Sequence, residues 1–396
     1  MANDIGFIET WGPNPEKLKA QILDKVLAEA TAKGAKEQKK ALKDIDYFNR
    51  IWDEVTGEAN IPAQTRVAAA RFNSGMRNLL MAAQLGSAAL TTFSDFATNA
   101  MTAHFNGIST RGVWKKTLDM LFSNKKRDFA MHIGLGGDEI ARILSGGTTG
   151  ANRFLGDFLP EQGWTGRVAA AVIKASLLER MTVAGKKAFS LDFVHTLASN
   201  ADKEFDSLIK PLKECFERYG LTSKDWDIIR KSKLDDFQGA KYVNLVEIAK
   251  KNQEVANKLS NLIFTERDFG VIDTNVRTHA IMTQGHKRGT LMGEILRYGM
   301  MYKTFPVTIM THHITRMMNI DSMGSKIGYL GGLFTGLTMT GYLTMQAKLL
   351  VSGKKPADAK KWNTWRDAML AGGACGVLGD ILFGETRGNL IADKAL

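Results

Sequence analysis

Apolar side chains recur along most of this chain at intervals of three and four residues, the period of a helix with one buried face, and seldom at intervals of two. Leu18, Ile22, Val26 and Leu27 follow Pro15, Glu16 and Lys17 and predict a polar first helix with Pro15 in its opening turn. Leu42, Ile45, Phe48, Ile51 and Trp52 predict a second helix over 41–55. The lysine-rich patch from Lys33 to Lys43 reads as a solvated helix face or a loop. Val168, Ala171, Val172, Ala175, Leu178, Met181, Ala184 and Phe189 predict one long helix across 163–200. Further helices are expected over 202–219, closed by Gly220, and after Thr222 as an N-cap. Two more are expected over 245–264 and 276–301. With few alternating segments and no fixed-period repeat, the expected fold is all-α: a multi-helix bundle with long helices and a C-terminal Gly-rich apolar helical hairpin.

Two stretches are apolar around nearly the whole helix circumference, which suits a buried or membrane-embedded helix. Residues 78–110 carry a single charge, Asp95, and read as a buried helix–turn–helix or a lipid span. Residues 327–347 carry none. There Gly328, Gly332 and Gly336 recur every fourth residue and Thr340 and Thr344 continue the spacing, so a stripe of small side chains runs down one helix face and invites close packing. At ~1.5 Å per residue such a run is long enough to span a hydrocarbon core. It is followed by Lys348, Lys354, Lys355, Lys360 and Lys361 with Trp362 and Trp365, then by a second apolar stretch over 368–384 holding Gly372 and Gly376. Cationic loops and interfacial Trp accompany membrane segments, and a tightly packed helix pair inside a protein has the same pattern, so both readings stand. The resulting division is a polar helical arm over 1–66, an apolar hairpin with a basic helix over 67–160, a long-helix bundle over 161–300 and the Gly-rich hairpin with its basic loop over 301–396.

A formal charge of +12 over 396 residues and a pI near 9.5 suggest an acidic partner: nucleic acid, anionic lipid or an acidic protein. Residues 111–127, with Lys115 and Lys116 among Trp114, Leu118 and Leu121, read as an amphipathic basic helix. Cys215 and Cys375 stand far apart and form no metal or redox motif. The start, MANDIGFIETWGPNP, lacks the basic and apolar regions of a signal peptide.

Candidate chemistry is sparse. The glycines at 134–137 and 145–150 lack the Gly-Lys-Ser/Thr of a phosphate loop and read as connectors around a short helix at 138–144. His279, His286 and the adjacent His312 and His313, which point to different helix faces, lack metal-ligand spacing. No spacing selects a catalytic pair from Glu139, Asp157, Glu161 and Glu179, and no Gly-x-Ser-x-Gly elbow is present. The expectation is a non-enzymatic protein with no cofactor and no metal. Arg288, Glu294, Arg297 and Lys303 carry more content: Glu294 and Arg297 are placed to pair at i, i+3, Arg288 is within reach of Glu294, and Lys303 precedes Pro306, which breaks or kinks a helix. They read as a structural polar junction feeding the hairpin.

An ordered series of short motifs spans roughly residues 70–385: Arg77-Asn78-Leu79, Leu85-Gly86 and Ser94-Asp95; Tyr219-Gly220 and Trp226-Asp227; Arg288-Gly289-Thr290, Gly293-Glu294, Arg297 and Tyr302-Lys303-Thr304-Phe305-Pro306; and Gly353-Lys354-Lys355-Pro356, Gly372-Gly373, Gly376 and Gly379-Asp380. The series resembles the helical region of internal virion, or DNA-ejection, proteins of short-tailed phages. Tyr302 stands where Phe is commoner, and the family's frequent peptidoglycan-cleaving module has no counterpart here. The resemblance implies a homo-oligomeric protein of the virion interior that works with other ejection and portal proteins. It implies contact with phage DNA in the head and with the host inner membrane on infection, and a share in a conduit for genome delivery. A capsid-core or portal-associated DNA-binding protein and a membrane-active enzyme or toxin segment are the alternatives.

Overall fold

The computed structural model describes residues 11–56, 58–62, 64–84, 93–109, 113–135, 171, 178–272, 276–301 and 303–373. Over these the chain is an assembly of helices with a single short hairpin of strands.

The first helix, Pro15–Lys33, starts under Asn14, whose side chain accepts from the Lys17 N–H, and buries none of its residues. Gly34 separates it from Ala35–Thr56, so the lysine-rich patch is helix face rather than loop. The second helix folds back on the first: Trp52 donates to Glu16 at 2.5 Å and meets Trp11 edge-on. It docks on Val276–Thr283 through Thr283 and Glu54 (3.0 Å) and through Arg277 and Tyr47 (3.1 Å).

Val67–Gln84 and Phe93–Phe105 occupy the first apolar stretch, with 85–92 between them outside the described residues. The basic stretch forms two helices instead of one, Val113–Phe122 and Asn124–His132, because Ser123 caps the second by accepting from the Lys126 N–H. The short helix and connector expected over 138–150 lie outside the described residues, as does most of 163–177, while Leu178–Ser199 is helical as expected.

The main core gathers Phe189, Phe193, Val194 and Leu197 from that helix around Leu212 and Phe216 of Lys210–Arg218, Trp226 and Ile229 of Ser223–Arg230, and Leu259, Leu262 and Ile263 of Gln253–Gly270. Several expected helices are shorter than the periodicity implies, each for a local reason. Pro211 starts the 210–218 helix late, and Gly220 ends it with its N–H on Glu217 and that of Leu221 on Phe216. Thr222 and Asp225 form a reciprocal capping box. Asn252 splits 245–270 into Leu245–Lys251 and Gln253–Gly270 by capping the second. The segment 276–301 divides into Val276–Thr283 and Leu291–Met300.

The hairpin of Leu234–Phe237 and Ala240–Val243 was not expected. Its turn uses positive φ at Gln238 and Gly239, the conformation of a two-residue hairpin loop.

Beyond Leu291–Met300, the helix Thr304–Ile309 opens a new rod, so Pro306 lies in a first turn where its missing N–H costs nothing. The rod widens into a π turn over Met310–Ile314 and ends with Thr315–Met318. Met323–Val351 then runs 29 residues, packs on Phe93–Phe105, and turns through 352–361 into Trp362–Gly372. The C-terminal helical hairpin is present; residues 374–396 lie outside the described residues.

Candidate functional site

The polar junction is a knot between two helix ends. Thr290 caps Leu291–Met300 by accepting from the Gly293 N–H at 3.1 Å, and its hydroxyl donates to the Lys287 carbonyl at 2.7 Å. Gly289 adopts φ +76°, and a Cβ there would come within 2.8 Å of the Arg66 carbonyl oxygen, so a glycine is required. Its N–H donates to Glu294 Oε1 at 2.7 Å. The other oxygen of Glu294 takes an ion pair from Arg77 of Val67–Gln84, a residue 217 positions away and wholly excluded from solvent. Arg288 donates to Ser74 Oγ at 2.5 Å, Tyr298 to the Asn73 carbonyl at 3.1 Å, and Arg77 lies over the Tyr298 ring. Arg297 is directed at backbone, donating to the carbonyls of His286 (3.0 Å) and Gly293 (3.1 Å). Lys303 is half-buried in the turn before Thr304.

The junction is therefore wider than the one helix face expected from the i, i+3 spacing of Glu294 and Arg297. Glu294 and Arg297 hold backbone groups, Glu294 also an opposite charge, and Arg288 a serine hydroxyl. Arg288, Glu294 and Arg297 are all buried.

A second buried polar centre has no signature in the sequence. Glu266 accepts from Asn106 (2.5 Å), Arg316 (2.6 Å) and the Tyr219 hydroxyl (2.9 Å). Arg218 donates to the other end of the Asn106 amide at 2.7 Å. The Arg316 guanidinium lies 3.6 Å from the centroid of Phe269, which helps an arginine stay buried. His313 Nδ1 and the Tyr329 hydroxyl stand 2.6 Å apart. Burial, and then the neighbouring charges of Arg316 and His312, hold His313 well below its ordinary pKa, so it is neutral. Burial likewise raises the Tyr329 phenol, to about 12. His312 and His313 lie in the π turn, and both rings approach Phe269, at 5.0 and 5.9 Å. Among the described residues no group of three His, Cys, Asp or Glu side chains can hold a metal ion.

The small-residue stripe divides. Gly332 faces Met101 and Gly336 faces Ala97, both on Phe93–Phe105, and Thr340 is buried with its hydroxyl on the Gly336 carbonyl. Gly328 has open space, and Gly376 lies outside the described residues. The closest approach is one position off the stripe. Gly341 meets Gly372 backbone to backbone, and a Cβ on Gly372 would overlap the Leu337 carbonyl. The buried seam of the long helix follows Tyr329, Leu333, Leu337, Gly341 and Thr344. Among the described residues no helix is long and apolar enough to cross a membrane. The long helix has the length, and its interspersed Gly and Thr dilute its apolar character.

The basic surface also divides. Lys116 is bound in an ion pair with Asp192, whose carboxyl burial pushes upward against the pull of that lysine, and is not a free surface cation. The side chain of Lys115 lies outside the described residues. Lys354, Lys355, Lys360 and Lys361 are exposed.

No family model, curated protein or solved structure matches this chain.

Proposed function

We propose that the chain is a non-enzymatic helical protein of a tailed-phage virion interior, released with the genome and contributing packed helices to the delivery conduit. The observation that carries this reading is that residues from motifs far apart in sequence are spent on buried packing contacts, one of them joining two motifs directly. Arg77, from the first motif of the series, closes on Glu294 from the third. Tyr219, from the second, bonds to Glu266, and Trp226, also from the second, is buried with its indole N–H on the Lys203 carbonyl at 2.9 Å. Gly372, from the last, makes the closest helix crossing. Side chains used this way specify a packing arrangement, and an enzyme would need some of them open to a cleft. One cleft among the described residues, beside Asp95, Asn99 and Thr117, has room for about 10 Å³, the space of a single water.

Quantitative mass spectrometry of purified virions before and after triggered ejection tests the reading. The chain is expected in full particles and strongly depleted from emptied ones. Its absence from full particles would overturn the proposal, and retention in emptied particles would favour a fixed capsid-core or portal role.

A further inference from the structure

The chain turns from Met323–Val351 into Trp362–Gly372 through residues 352–361, and hydrogen bonds fix that turn. The Lys354 N–H returns to the Leu349 carbonyl at 2.8 Å. The Gln346 amide donates to the Ala357 carbonyl at 2.8 Å and accepts from its N–H at 2.9 Å. Trp365 donates to the Ala359 carbonyl at 2.8 Å and stacks on Tyr342. On this frame Lys354, Lys355, Lys360 and Lys361 are exposed, and among the described residues none has a carboxylate partner, unlike Lys116, Lys126, Lys213 and Lys250. The one acid of the turn, Asp358, accepts from the backbone N–H of Lys360. Beside the lysines Leu350, Val351 and Trp362 are 60%, 82% and 68% exposed.

Cations interleaved with exposed aliphatics and an indole match a bilayer surface. Ammonium groups sit on anionic headgroups, the indole lies at headgroup level, and the aliphatics enter the acyl boundary. A nucleic-acid backbone would use the lysines and leave Leu350 and Val351 in water. We propose that this tip is a peripheral docking site for anionic lipid headgroups, acting by surface contact and not through a spanning helix. Vesicle binding by the purified chain and the presence of the chain in virions are separate measurements, so this inference and the virion reading can fail independently.

Flotation of the full chain with phosphatidylcholine vesicles, with and without phosphatidylserine, tests it. The chain is expected to float only with the anionic vesicles, and less so as salt rises. Replacing all four lysines by Gln is expected to lower partitioning about tenfold or more. Leu350→Ser with Val351→Ser and Trp362→Ser is expected to abolish it. These positions are exposed, and circular-dichroism melts are the check that each variant folds; Trp362→Ser alone serves if a multiple variant does not. Failure to float with anionic vesicles, or equal flotation after the lysine changes, overturns the proposal. Lysine-dependent retention of duplex DNA without vesicle binding assigns the tip to nucleic acid instead.

Discussion

Arg77 and Glu294 form a buried ion pair that fastens the helix Val67–Gln84 to the helix Leu291–Met300. Removing one member of such a pair strands the other charge away from water, at a cost of about 3–5 kcal/mol, whereas replacing both by apolar residues is often near neutral. Arg77→Met is therefore expected to lower stability by about 3 kcal/mol. Adding Glu294→Met should recover part of that loss, with a residue left by the Gly289 N–H that loses its acceptor. Urea unfolding of the unaltered chain, of Arg77→Met, of Glu294→Met and of the double variant checks the coupling, and strictly additive losses would show that the two side chains act independently.

The glycines of the C-terminal hairpin are expected to differ sharply in tolerance. Gly372→Ala drives a methyl into the Leu337 carbonyl and should separate the two helices, lowering the melting temperature by several degrees or more. Gly328→Ala enters open space on a helix and should be neutral or stabilising by up to about 1 kcal/mol. Thermal melts of both variants decide this, and similar effects at the two sites would contradict the packing.

His313 sets an acid limit on stability. Its folded pKa lies well below the ordinary histidine value of about 6.5, so the unfolded chain takes up the proton first as pH falls. The contribution is fully present above that value and is lost on acidification, with a slope of up to about 1.4 kcal/mol per pH unit. Arg316, His312, Tyr329 and, through Arg316, Glu266 face this site, and His313→Gln leaves all of them in place. Unfolding free energy measured from neutral pH down to about pH 5 should fall less steeply in the variant. An unchanged slope would remove His313 as the cause.

Cys215 is fully buried, and burial, then the Glu266 charge, pushes its thiol upward. In a Cys375→Ser chain, alkylation of the remaining thiol should be blocked under native conditions and become rapid in denaturant. Rapid native labelling would mean that the core around Phe216 opens readily.

The helical class was legible because periodicity and caps are local: Pro15, Thr222 and Gly220 act on their own turns. The strand pair was hidden because its strands are four residues each and Leu234–Phe237 holds two adjacent aspartates. Glu294 was legible as part of a junction, but its partner Arg77 was not, since nothing local links them. The Glu266 centre draws on Asn106 and Arg316, which are unremarkable in their own stretches, and on Tyr219, whose motif says nothing of a partner 47 positions away. Gly341 was missed because its neighbours along the seam, Leu337 and Tyr329, are large, whereas the stripe beside it is uniformly small.

The π turn at Met310–Ile314 works as a phase shifter. Relative to an uninterrupted α-helix it inserts one residue, so every side chain after it is rotated by about 100° around the rod. Arg316 reaches Glu266 in that rotated frame. A single-residue deletion within 310–314 would let the rod revert to α geometry and swing the guanidinium off its carboxylate and off Phe269. The alignment of the buried centre thus depends on how many residues the turn contains as well as on which residues they are.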